Sequence, residues 1–269
     1  MDNKLMSITE WVTMEREIKP SYIDQILPAE AGEYIMVSGR TGIGKSILVL
    51  NMAFCLATGL PFYGFNCDKV TVGLLAMEGG QENIKNRLTK AIEQYPDCTD
   101  TLRYDLREPF VLNNPKNEQY FLETFEGCQV VILDNLRQVT TGKYLENNYA
   151  AEWIKTFSEL LVKIGAVGVL THHIKKPSGN KDSLLDTGDV YNLKGATEYV
   201  DDATTVLLLE RKRQGRGSGG KGFGRVDNSM LQMYFAKHRI ETVELPEYVT
   251  LERDFDKAGF TLIKEEGEE

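Results

Sequence analysis

Tyr34-Ile35-Met36-Val37-Ser38-Gly39-Arg40-Thr41-Gly42-Ile43-Gly44-Lys45-Ser46 decides the fold of this 269-residue chain. Its first half is a short apolar run, the pattern of a buried strand. Its second half, Gly39 to Ser46, fits G-x-x-x-x-G-K-[ST], and the next residues, to about Thr58, have the apolar face of a helix. Strand, glycine-rich turn and helix together form a phosphate cradle. The glycines let backbone N–H groups converge without Cβ atoms in the way, and the helix start adds the positive end of its dipole. The expected nucleotide contacts are Gly39, Thr41, Gly42, Ile43, Gly44, Lys45, Ser46 and Ile47. Lys45 is expected on the β- and γ-phosphates, and the Ser46 hydroxyl on Mg²⁺. ATP and Mg²⁺ are the implied cofactors.

Outward from this point, short apolar strands alternate with amphipathic helices. Strands are expected at Val70–Met77, Arg103–Leu112, Cys128–Leu133, Ala166–Thr171, Thr204–Glu210 and Met230–Lys237, and helices at Gln81–Tyr95, Glu118–Glu126 and Tyr149–Ile164. A short helix is expected over Lys194–Val200. The pattern predicts an α/β fold: a mostly parallel central sheet with helices on both faces and a carboxy-terminal β-hairpin extension. No repeat or interdomain linker interrupts it. One domain is expected over residues 31–262, preceded by a segment at 1–30 that packs on the core or on a neighbouring subunit and followed by an acidic tail at 263–269.

Two strand-end acids complete the phosphate chemistry. Val130-Val131-Ile132-Leu133-Asp134 is a buried strand ending in a carboxylate, expected to hold Mg²⁺. Glu78 ends the apolar run VTVGLLAM, one strand-helix-strand unit after the phosphate loop. Strand ends face the crevice in which α/β sheets bind ligands, so Glu78 is the candidate general base. The plainer reading of each acid is a capping carboxylate, Glu78 for the helix that begins at Gln81. His172 and His173 end another apolar strand. Adjacent strand residues point to opposite faces and no third ligand is evident, which argues against a metal pair.

The phosphate loop, Glu78 in LLAMEGG, Asp134 in VVILDNLRQ and the VLTHH strand end together resemble the RecA-superfamily ATPases. The closer resemblance is to hexameric replicative helicases of the DnaB type and to small RepA-type plasmid helicases, over about residues 20–240. It implies a catalytic glutamate at Glu78 and a magnesium aspartate at Asp134. It implies γ-phosphate sensing at His172, where DnaB-type enzymes have a glutamine and RepA-type helicases a histidine pair. Lys237 and Arg239 in YFAKHR resemble the family's K-x-R element, whose cations reach into the next subunit's nucleotide site. Two residues apart on a strand, they face the same side; the plainer reading is a pair of solvated cations. The length is expected to leave no room for the collar domain of DnaB, which favours the smaller RepA type.

Net charge is −9, yet Thr171–Ile240 holds 12 basic and 8 acidic residues, against 19 and 32 in the remainder. Two loops are therefore candidates for single-stranded DNA: the polar stretch with Lys175, Lys176 and Lys181, and the glycine-rich stretch with Arg211, Lys212, Arg213, Arg216 and Lys221. The second also reads as a solvated hairpin tip, since Phe223 is its single aromatic. The four cysteines are scattered and form no CxxC, so reduced thiols and a cytoplasmic location are expected. No apolar run approaches the ~18 residues of a membrane span. The functions these features imply are an ATP-driven ring helicase with replication or recombination partners, a RecA-like recombination or annealing ATPase, or a KaiC-like regulatory ATPase without nucleic acid.

Overall fold

The structure is a computed structural model that describes residues 7–13, 21–77, 81–106, 111–174, 197–213, 226–240, 245–254 and 259–263. A short helix, α1 (Ile8–Thr13), precedes a small hairpin of β1 (Ser21–Ile23) and β2 (Leu27–Pro28). The parallel part of the chain then runs β3 (Tyr34–Gly39), α2 (Lys45–Thr58), β4 (Val72–Ala76), α3 (Gln81–Gln94), β5 (Leu102–Leu106), α4 (Pro115–Thr124), β6 (Val130–Asp134), α5 (Asn147–Ile164) and β7 (Val167–His173). It continues through α6 (Glu198–Asp201) and β8 (Thr205–Arg213) to β9 (Val226–His238), β10 (Tyr248–Asp254) and β11 (Gly259–Ile263).

The last nine strands form one sheet in the order β11-β10-β9-β8-β3-β7-β6-β4-β5. From β8 to β5 every neighbouring pair is parallel, and from β8 to β11 every pair is antiparallel. The chain moves outward from β3 to β4 and β5, then returns through β6 and β7 and passes over β3 to β8. Right-handed crossovers put helices on opposite faces when that direction reverses. One core cluster accordingly gathers α2 and Leu88 and Ala91 of α3. The other gathers Phe121 of α4, Trp153 and Phe157 of α5, and Tyr199 of α6. β3 lies at the reversal, between β7 and β8, with the phosphate loop at its carboxy-terminal end.

Several boundaries differ from the sequence pattern. Tyr22, Ile23, Ile26 and Leu27 are buried in the α2-side core, so this stretch of the segment before residue 30 packs on the core. α4 begins at Pro115 because the Asn114 side chain caps it, accepting from the Lys116 N–H at 3.1 Å. β5 ends at Leu106, short of the expected Leu112, which packs in the α5-side core. β10 and β11 have no counterpart in the sequence pattern. They lengthen the sheet beyond the hairpin, and Leu251 and Phe260 close over α2. Among the described residues no helix is long and apolar enough to cross a membrane.

Candidate nucleotide site

The phosphate loop is shaped by glycine. Gly42 and Gly44 have φ of 76° and 120°, values that L side chains rarely adopt. A Cβ on Gly44 would also lie 2.7 Å from Cζ of Phe260, so the β11 ring packs directly on the loop. No side chain caps the amino end of α2, and no acidic residue occupies its first turn. The dipole end therefore faces the loop without a protein anion, as an incoming phosphate requires. Ile43 and Ile47 are buried anchors, whereas Thr41, Gly42 and Ser46 are exposed or only partly covered.

Lys45 is buried and already aimed. Its ammonium donates to the carbonyls of Gly39 and Arg40, both at 3.1 Å, and to Nδ1 of His173 at 3.2 Å. Thr41 Oγ1 lies 3.5 Å from the same nitrogen. Of the histidine pair, the one beside the phosphate loop is therefore His173 and not the expected His172. β7 pairs with β3 in register Ser38–His172 and Gly39–His173, and alternation turns only His173 toward α2 and the loop. His172 points to the other face, where it is buried with its ring 6.4 Å from that of Tyr199.

Asp134 lies on the α2 side with Lys45. Thr171, two residues before His173 and on the same face, donates to Asp134 Oδ1 at 2.5 Å and orients the carboxylate. Ser46 and Asp134 line one pocket together with Arg87 of α3 and Tyr104 of β5. Burial, and then the negative charge of Asp134, push the Tyr104 phenol up to about 12. A hydroxyl and a carboxylate are hard oxygen donors that suit Mg²⁺. No motif picks out Arg87 or Tyr104, and the VLTHH strand end does not single out His173 over His172. Only the alternation after Thr171 carries a sequence signal; Arg87 and Tyr104 meet through packing of α3 on the sheet. Glu78 lies outside the described residues, but β4 delivers the chain to the site: the Met77 N–H donates to the Asp134 carbonyl at 2.9 Å.

Lys237 and Arg239 are remote from this site. Lys237 pairs with Val206, whereas Gly39 pairs with Leu209, and the Arg239 N–H donates to the Thr204 carbonyl. They therefore sit at the opposite end of the strands, about 16 Å back for Arg239 at ~3.3 Å per residue. There Lys237 Nζ donates to the carbonyls of Val200 and Asp201, both at 2.6 Å, and Arg239 donates to the Asp201 carbonyl. Burial, and then the neighbouring Arg239 charge, hold the Lys237 ammonium below its ordinary pKa, against the pull of Asp201, Asp202 and Glu33. Of the expected DNA contacts, Arg211 is exposed and Lys212 half-buried near the end of β8, on the same end of the sheet as the phosphate loop. Arg213 ends β8. Lys175, Lys176, Lys181, Arg216 and Lys221 lie outside the described residues. Among the described residues no group of three or more His, Cys, Asp or Glu could hold a metal ion.

A family described as AAA domain matches residues 4–179. Among curated proteins, a DNA helicase/primase of Enterobacteria phage T3 is 24% identical over 225 residues, covering 71% of this chain. The chain spans 38% of that relative's length. Among solved structures, an isolated ATPase domain superposes with a TM-score of 0.61 at 13% identity, covering 87% of this chain and 86% of its own. The flagellar accessory protein FlaH of Methanocaldococcus jannaschii gives 0.56 at 12% identity, covering 88% and 91%. A KaiC-like protein of Pyrococcus horikoshii gives 0.56 at 13% identity, covering 93% and 99%. At these identities the structural likeness establishes a shared RecA-like fold.

Proposed function

The chain belongs to the family of AAA domains, and on that premise we propose that it is an ATP-driven motor: a ring, six-membered in the simplest case, that translocates on single-stranded DNA as a RepA-like replicative helicase. The observation that carries this reading is the separation of Lys237 and Arg239 from their own phosphate loop. Cations at the far end of the strands cannot reach a nucleotide in the same subunit, but they can reach one held by a neighbour. In this reading Lys45 and the backbone from Gly39 to Ile47 bind the phosphates. Ser46 and Asp134 hold Mg²⁺, which offsets phosphate charge. His173 reports the γ-phosphate to β7, Glu78 orients and deprotonates the attacking water, and the neighbour's Lys237 and Arg239 stabilise charge as the phosphoryl group departs.

DNA would lie on the phosphate-loop end of the sheet. Arg211, Lys212 and Arg213 end β8 there, and Lys175, Lys176, Lys181, Arg216 and Lys221 follow β7 and β8 in the sequence. Repetition around a ring turns a modest set of cations into a basic channel. The curated relative named as a helicase/primase supports this reading over the alternatives. Of the segment before residue 30, α1 would pack on the next subunit, since its Ile8 is 83% exposed.

ATP hydrolysis measured with and without an unstructured oligonucleotide, followed by unwinding of a forked duplex, tests the proposal. DNA-stimulated hydrolysis with unwinding is the expected result. Stimulation without unwinding points to a recombination or annealing ATPase. Hydrolysis indifferent to DNA points to a regulatory ATPase, as the likeness to the KaiC-like structure would favour.

A further inference from the structure

Lys237 and Arg239 carry like charges two residues apart, and both turn onto one short helical turn. Something must hold that turn. α6 is four residues long and no side chain caps its amino end, so its own hydrogen bonds do little to fix it. The anchor comes from β3. Tyr34 Oη donates to the carbonyl of Tyr199 at 2.9 Å, in a contact where Tyr34 is 2% and Tyr199 1% exposed. The next two carbonyls, of Val200 and Asp201, are those that accept from Lys237 and Arg239. A backbone path runs in parallel. The Thr204 N–H donates to the Tyr34 carbonyl at 2.9 Å, and the Arg239 N–H to the Thr204 carbonyl at 3.0 Å. Burial, and then the Asp202 charge, raise the Tyr34 phenol well above its ordinary pKa, so it remains a donor at any working pH.

We propose that Tyr34 is a positioning residue for the trans-acting cations: its phenol fixes the Tyr199 carbonyl, and thereby the α6 carbonyls that aim Lys237 and Arg239 at the neighbouring subunit. The inference rests on the trans role given to those cations above. Tyr34 opens the strand whose other end is the phosphate loop, so one strand carries the subunit's own nucleotide contacts and sets the cations it offers next door.

Tyr34→Phe removes the donor and keeps the ring, which packs edge-on against Phe157 with centroids 6.1 Å apart. The full chain is assayed with Mg²⁺-ATP and an oligothymidylate. Arg239→Ala is expected to lower kcat about 100-fold, the cost of losing one transition-state cation. Tyr34→Phe is expected to lower it about five- to tenfold, the scale of one hydrogen bond. Binding of a fluorescent ATP analogue should stay near wild type, the melting temperature should fall by only a few degrees, and Tyr34→Phe added to a Lys237→Ala/Arg239→Ala variant should cost no further activity.

Mixing gives the decisive readout. A Tyr34→Phe subunit keeps a sound phosphate loop and a Lys45→Ala subunit keeps sound cations, so mixed assemblies should hydrolyse faster than the sum of the two alone. Wild-type kcat in Tyr34→Phe, a further loss when Tyr34→Phe is added to Lys237→Ala/Arg239→Ala, or no gain on mixing overturns the proposal. Wild-type turnover by Arg239→Ala itself overturns the trans reading beneath it, so the two failures are told apart.

Discussion

At the carboxy-terminal ends of the parallel strands, Lys45, Asp134 and Thr171 are each buried, and each is held by a partner in the same subunit. At the other end of the same sheet, Arg239 is exposed, Lys237 half-buried, and both rest on the carbonyls of a four-residue turn. The first region is fixed by bonds within one subunit, so a phosphate bound there would meet charges that need little reorganisation. The second offers its cations at a surface turn. In the proposed ring this division would make hydrolysis conditional on assembly, because the electrostatic half would arrive only with a neighbour.

The largest expected effect falls on the organised end. Lys45→Ala should cut ATP turnover about a thousandfold, at the upper range for loss of a preorganised charge contact. Steady-state phosphate release checks this, and a loss below about tenfold would mean that the buried ammonium is structural. Next comes Thr171→Val, which keeps the strand shape and removes the bond to Asp134. Apparent Mg²⁺ affinity should fall about tenfold, as for other groups that orient a metal ligand, with ATP affinity measured without metal unchanged. An unchanged Mg²⁺ dependence would break the link between Thr171 and the metal site.

The histidine pair sharpens the comparison further. His173→Ala should lower turnover about tenfold by loss of a charge-assisted contact at the phosphates, with little change in melting temperature. His172→Ala should instead lower stability by about 1–3 kcal/mol, as a truncation in a packed interior does. The reversed pattern would assign the sensor to the buried face. The smallest effect concerns pH at the far end. Because the Lys237 pKa lies below its ordinary value, the ammonium loses its charge earlier on the alkaline side than a free lysine does. Lys237→Arg stays charged there, so the alkaline fall in turnover should move to higher pH; an unmoved limb would detach Lys237 from catalysis.

The phosphate loop was legible because its chemistry is local. Glycines at fixed offsets, a lysine and a serine within eight residues impose nearly the same loop wherever they follow a strand. β6 with Asp134 was legible for a similar reason, an apolar run ending in an acid. β10 and β11 were not. Their few apolar residues, such as Leu251 and Phe260, are interrupted by Glu252, Arg253 and Asp254, and they become strands because the open edge of β9 and the outer side of α2 await them. The pocket partners Arg87 and Tyr104 were illegible too, since they meet Asp134 only where α3 packs across β4 and β5.

By itself the amino-acid sequence determined that this chain has a phosphate loop on a parallel sheet, that a carboxylate ends the buried strand β6, and that two cations two residues apart share one side. Those follow from periodicity and from backbone chemistry within a few residues. Only the tertiary structure decided which histidine faces the phosphate loop, and at which end of the sheet the cations emerge. Both depend on strand order, with β7 inserted between β3 and β6 and β9 running antiparallel beside β8. That order is set by packing between residues far apart in the chain, a physical constraint that no local pattern records.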